Sequence, residues 1–375
     1  MDWTALPKIE LHAHLSGSIS RQCLHEVWLR KKAAGETGLE DPLVEMPDGK
    51  HDYDLKTFFP LFSSYIYHLV NDREALEHTT LSVLRDFAAD GVVYLELRTT
   101  PRALPASNLT KADYIATILD TIHRFESTTP NNRLHTSLIL SIDRRNTLAQ
   151  ALEVVDLAQH FASSRSLSSS SSSSSSFSSG PTTSPTPRRG GGGGGVVGID
   201  LCGDPTATGI AALQPAFTAA RTRLPHLGLT LHFAEAEASG SDAELLMLLR
   251  EWQPDRIGHV IHLSEAVKRE VAAYRNGQGL GLGLELCLSC NVHAGMIQGG
   301  FESHHFGEWW KVDGPTVVLC TDDVGVFGSP LSNEYRLVAT HFHLSEGDIR
   351  ALARKGIDVI FGSEDEKKRL RRIMG

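Results

Sequence analysis

The sequence predicts an α/β fold, a (β/α)8 TIM barrel with its active site at the C-terminal face. Three observations point there. Eight short apolar runs rich in β-branched residues recur along the 375 residues. Helical patterns fill the gaps between them, and such alternation implies a parallel sheet with helices outside. Polar residues cluster just past each run, where a barrel gathers them at one mouth.

The runs come in order. They are Ile9–His12, Gly91–Arg98, Thr136–Asp143, Val196–Cys202, Leu227–His232, Arg256–His259, Leu282–Leu288 and Thr316–Asp322. Helices are expected over 73–89, 111–125 behind a Thr110 N-cap, 147–161, 209–223, 242–250 and 264–275. A doubly wound open sheet is the rival. Its dinucleotide signature is missing, because Gly277-x-Gly279-x-Gly281-x-Gly283 has the wrong spacing and precedes a strand.

One stretch does not belong to this pattern. Residues 162–195 hold nine consecutive serines and six consecutive glycines. Such runs cannot bury enough apolar surface to order themselves. The segment is expected to be a disordered insertion between the third helix and the fourth strand, on the N-terminal face. The whole chain, 1–375, is then one barrel domain interrupted there.

Bulk composition narrows the function. With 36 basic and 45 acidic residues the formal net charge is −9. That does not favour nucleic acid or an anionic membrane as partner. No apolar run reaches the roughly 18–20 residues a membrane helix needs. The N-terminus lacks a secretory pattern and the five cysteines are odd in number. A cytoplasmic location follows, and a monomer is expected. Cys287-x-x-Cys290 lacks a second pair for a thiolate zinc site and is expected to be two buried cysteines.

The strand ends carry the chemistry. His12 and His14 lie two apart on a strand, so both imidazoles share one face. His232 ends the fifth run and Asp322 the eighth. Three imidazoles and a carboxylate suit one zinc ion, with a position left for water. Glu235, three residues after His232, can act as a general acid if its pKa is raised. His259 is placed to orient or deprotonate that water. Asp323 cannot share a face with Asp322, so one of the pair binds metal and the other substrate. His341-x-His343 matches no strand end and is read as chance, and His304-His305 as surface or supporting polar structure.

The segments Leu6-Pro-Lys-Ile-Glu-Leu-His-Ala-His-Leu-Ser-Gly-Ser18, Asp200-Leu-Cys-Gly-Asp-Pro205, His232-Phe-Ala-Glu235, Asp255-Arg-Ile-Gly-His259 and Cys320-Thr-Asp-Asp323 span nearly the whole chain. As a set they resemble the adenosine/AMP deaminase family of metal-dependent hydrolases. Leu95-Glu-Leu-Arg-Thr-Thr-Pro-Arg102, Asp143-Arg-Arg145 and His304-His-Phe-Gly307 make the chain most similar to the adenosine deaminase-like branch of that family.

The resemblance implies a purine nucleotide deaminase. Its expected reaction converts N6-methyl-AMP, or another N6-substituted AMP, to IMP and an amine. Adenosine or adenine deamination is the near alternative, and a non-catalytic purine-binding protein the distant one. The resemblance implies that His12, His14, His232 and Asp322 bind zinc. It implies that Glu235 protonates purine nitrogen 1, that His259 positions the nucleophile, and that Gly203 and Asp323 hold the base. The remaining substrate contacts are expected from His14, Ser16, Thr99, Thr100, Pro101, Arg102 and Asp143, with Thr99, Thr100 and Arg102 on a phosphate. Tyr65 and His68 both stay open as sugar contacts. Ser16 stands where the branch often has asparagine, and Val260 where the family usually has glycine, a change expected to narrow the mouth.

Overall fold

In a computed structural model the chain is described over residues 1–47, 49–50, 53–130, 132–163, 194–277 and 279–375. Of the expected insertion, all but Ala162, Ser163, Gly194 and Gly195 lies outside the described residues.

Eight parallel strands form one sheet in sequence order. They are β1 (Lys8–His14), β2 (Val92–Thr99), β3 (His135–Asp143), β4 (Val196–Cys202), β5 (Gly228–Phe233), β6 (Arg256–His259), β7 (Gly283–Leu286) and β8 (Thr316–Leu319). Strands β2 and β4 are buried along their whole length. Helices cover one face of the sheet and packed side chains the other, which is why the strands read as apolar runs rather than alternations.

The last two expected strands are too long. Cys287 turns the chain into the helix Leu288–His293, and β8 ends at Leu319. The ring is instead joined between β1 and the segment after β8. An isolated parallel bridge pairs Ala13 with Asp322. Asp322 N donates to His12 O at 2.7 Å, and His14 N to Asp322 O at 2.9 Å. Glu10 sits beneath this seam, accepting from His12 N at 2.7 Å and Thr321 N at 3.0 Å.

Two of the long helices that cover the sheet start on side-chain caps. Asp72 caps Arg73–Ala89, and Thr110 with Asp113 forms a reciprocal capping box on Lys111–Thr128. At the N-terminal end of the barrel Phe361 packs against Gly198 and Gly228, with the Arg256 guanidinium 3.6 Å from its ring centroid. The ring thus blocks that end, and access is from the C-terminal mouth.

Candidate active site

The mouth holds a pocket lined by His14, Ser16, Arg98, Thr99, Thr100, Asp143, Arg145, Gly203, His232, Glu235, Asp322 and Asp323. Phe58, Phe59, Phe62 and Tyr67 wall one side. The ends of β1, β2, β3, β4, β5 and β8 line it and His259 of β6 stands in the donor cluster, but not every expected residue reaches it.

The donor atoms are tightly gathered. His12 Nε2 is 3.2 Å from His232 Nε2, and His14 Nε2 is 3.1 Å from the same atom. Asp322 Oδ1 is 3.4 Å from both His12 Nε2 and His14 Nε2. Four ligands about 2.0–2.1 Å from a tetrahedral zinc stand about 3.3–3.4 Å apart. His12, His232, His259 and Asp322 also offer ligand atoms within 4.8 Å of one another. His259 stands further off, with Nε2 3.9 Å from Asp322 Oδ2, so His14 fits the compact set better.

Hydrogen bonds behind the imidazoles make this gathering informative. His12 Nδ1 lies 2.7 Å from Glu285 Oε2, and His232 Nδ1 lies 2.7 Å from the Leu201 carbonyl. Neither oxygen can donate, so each Nδ1 carries the proton and each Nε2 presents a lone pair. Two lone pairs facing each other beside a carboxylate repel unless positive charge sits among them. The donor set therefore fits a divalent cation that takes nitrogen and oxygen ligands.

Glu285 is held in turn by buried cations. Arg98 reaches it at 2.8 Å and Arg256 at 2.6 Å, while Arg98 also bonds Asp200 at 3.2 Å. Asp200 lies 3.2 Å from His232 Nδ1 and accepts from Ser141. This charged lattice fills the barrel interior and orients two of the imidazoles. Gly258 makes room for one of them, since a Cβ there would lie 2.6 Å from His12 Cε1.

Three buried polar atoms at the mouth lack partners among the described residues: Glu235 Oε2, His259 Nε2 and Asp323 Oδ1. Burial and the nearby Asp322 charge push the Glu235 carboxyl up to about 8. That shift favours the protonated carboxyl at neutral pH. Burial, Asp322 and Glu235 also raise Asp323, whereas the His12 hydrogen bond and charge hold Asp322 low against its burial. Asp323 precedes the short helix Val324–Phe327, but its side chain makes no cap bond to it. Gly203, at φ +96°, brings its backbone against Asp143, where a Cβ would lie 2.7 Å from the carboxyl carbon.

A profile of known families described as adenosine deaminase matches residues 7–171 and 192–374. The chain belongs to the adenosine deaminase family. The deaminase is 34% identical to N6-methyl-AMP deaminase of Bos taurus over 375 residues, covering 99% of this chain and 94% of that one. It matches the crystal structure of Arabidopsis N6-mAMP deaminase with a TM-score of 0.80 at 31% identity, covering 100% of this chain and 99% of the other. It matches Arabidopsis ADAL complexed with IMP at 0.81 and 31% identity, with 100% and 98% covered. The family is metal-dependent, and the donor cluster of the deaminase could hold a metal ion.

Several expected contacts lie elsewhere in the deaminase. Arg102 does not line the pocket. Its guanidinium bonds the Val70 carbonyl and lies over the rings of Tyr67 and Tyr114, at 4.5 and 5.5 Å. Pro101 is buried beside it without lining the pocket. Thr99 and Thr100 do line the pocket, with the Thr99 hydroxyl 2.8 Å from Tyr114 OH and the Thr100 hydroxyl 3.5 Å from Cys202 Sγ. Neither Tyr65 nor His68 lines the pocket, and the Tyr65 hydroxyl donates to Glu40 O; Ser63 and Tyr67 are the segment's polar members there. Val260 is buried and also lines nothing. Its consequence is backbone strain at φ +52°, which a β-branched residue rarely adopts, rather than a narrower mouth. Of the two readings of His304 and His305, supporting polar structure holds: His304 is buried and His305 Nε2 donates to the His259 carbonyl.

Sequence reasoning missed Arg145, Glu285, Asp200, Asn291 and Tyr67. Arg145 lines the pocket with its side chain 58% exposed, held by Asp143 at 2.8 Å through Nε. For Glu285 and Asp200 a signal existed: each is a lone charge within an otherwise apolar strand run.

Proposed function

We propose that the chain hydrolyses N6-methyl-AMP to IMP and methylamine. Similarity over nearly the full length to relatives named N6-methyl-AMP deaminase carries this. In this reading His12, His14, His232 and Asp322 hold one zinc ion per chain. Such an ion lowers the pKa of water and supplies a nucleophile at neutral pH.

The other groups follow from their chemistry. Protonated Glu235 donates to purine nitrogen 1, which draws electrons from carbon 6 as the oxygen adds. The bond from carbon 6 to the exocyclic nitrogen then breaks, and the amine leaves with the proton that the added hydroxyl gives up as it becomes the carbonyl. Asp323 and the Gly203 backbone face the base. Arg145, with Asp143 fixing its direction, is the pocket cation open to solvent and suits a phosphate. Arg98, the other pocket arginine, is fully buried and committed to Asp200 and Glu285.

Zinc content followed by initial rates on N6-methyl-AMP, AMP, adenosine and adenine tests the proposal. N6-methyl-AMP should be turned over fastest. Faster turnover of adenosine would sink it.

A further inference from the structure

Behind the mouth runs a chain of hydrogen bonds that starts from an unambiguous donor. The Phe306 backbone N–H donates to His304 Nδ1 at 3.0 Å. His304 therefore carries its ring proton on Nε2, which stands 3.2 Å from Asn291 Oδ1. The Asn291 amide is fixed by that contact, so its Nδ2 faces His259 Nδ1 at 3.1 Å. An amide NH2 can only donate. His259 Nδ1 is then an acceptor, and the ring proton sits on Nε2.

Nothing in this chain is free to reverse. His304, Asn291 and His259 are all buried. A second proton on either ring would face another donor, the Asn291 amide at His259 and the Phe306 N–H at His304. His305 Nε2 donates to His259 O at 2.6 Å, fixing the backbone of a residue at φ +67°. Asn291 itself lies on the helix Leu288–His293, which Glu334 anchors through Ser289 N at 3.1 Å.

We propose that Asn291 and His304 are positioning residues that lock His259 in its Nε2–H form, so that His259 offers the reacting oxygen a hydrogen-bond donor and not a base. The lock also separates His259 from His12 and His232. Those two carry the proton on Nδ1 and present lone pairs, while His259 presents an N–H beside the same carboxylate. The catalytic meaning of the lock rests on the proposed deamination, but the ring tautomer does not.

The test labels the zinc-loaded protein with 15N in its histidine rings and assigns His259 by its loss in His259→Gln. Wild type should show a protonated Nε2 and a bare Nδ1 at neutral pH. Asn291→Asp replaces the donor with an acceptor. It should move the proton to Nδ1 and lower kcat on N6-methyl-AMP roughly tenfold or more, with KM and zinc content nearly unchanged. A wild-type His259 protonated on Nδ1, or on both nitrogens, overturns the proposal, and so does Asn291→Asp with wild-type kcat. If Asn291→Asp does not fold, the wild-type spectrum still decides. Wild-type protein that leaves N6-methyl-AMP untouched removes the substrate assignment, while the spectrum still decides the lock.

Discussion

His12 Nδ1 meets Glu285 Oε2 at 2.7 Å across the barrel, although 273 residues separate them. The bond fixes which nitrogen of His12 faces the donor cluster. A Glu285→Gln variant keeps the shape but weakens the acceptor and unbalances Arg98 and Arg256. Partners of this kind typically affect metal affinity by about 10–100-fold. Titration of the variant against a zinc chelator should show a loss in that range; wild-type affinity would remove the orienting role.

Glu235→Gln removes the proton donor and keeps the side-chain shape. Positioned acid–base groups contribute about 10²–10⁴-fold. The variant should retain its zinc and lose turnover by that factor. Unchanged kcat would show that another group protonates the base.

Gly258→Ala places a Cβ 2.6 Å from His12 Cε1. The ring must move, and the lone-pair geometry moves with it. The variant should purify folded, with unchanged far-ultraviolet circular dichroism, yet bind less than about a tenth as much zinc at stoichiometric loading. Full zinc occupancy would mean that the ring has room the structure does not show.

Much of this site is legible in the sequence, for a specific reason. In a parallel barrel the C-terminal ends of all strands meet, so His12, His232, His259 and Asp322 can be gathered from their places after apolar runs. Direction is harder to read. Arg102 and Arg145 both follow strand ends, and only the packing of Tyr67 and Tyr114 shows that Arg102 is occupied while Arg145 faces the pocket. The tail of the seventh run was misread because Cys287-Leu288 is apolar in a strand and equally apolar as the start of a buried helix. Asn291 was visible as a polar residue, but its meaning depends on a backbone donor fifteen residues on, at Phe306.

The two arginines make separable predictions. Arg145→Ala should lower kcat/KM for N6-methyl-AMP by about 10–100-fold, the scale of a charge-assisted hydrogen bond of roughly 1.5–3 kcal/mol. Rates on a nucleoside lacking the phosphate should change little. Arg102→Ala should instead lower the melting temperature, because it removes the cation packed on Tyr67 and Tyr114. Equal effects of Arg145→Ala on nucleotide and nucleoside would take the phosphate role away from Arg145.

Glu334 sets a pH dependence of stability apart from the metal cluster. Burial raises its carboxyl from 4.5 to about 7, against hydrogen bonds from Ser289 and Ser329. A carboxyl raised on folding binds its proton more tightly in the native state. Its stabilising contribution is complete below about pH 4.5 and is lost as pH rises through about 7. The shift corresponds to about 3 kcal/mol. Glu334→Gln cannot ionise and should lack this loss. Denaturant midpoints at several pH values between 4.5 and 8 should show wild type falling more steeply than the variant, with the two curves parallel above about pH 8. Parallel curves across the whole range would mean that Glu334 ionises as easily in the folded protein as in the unfolded chain.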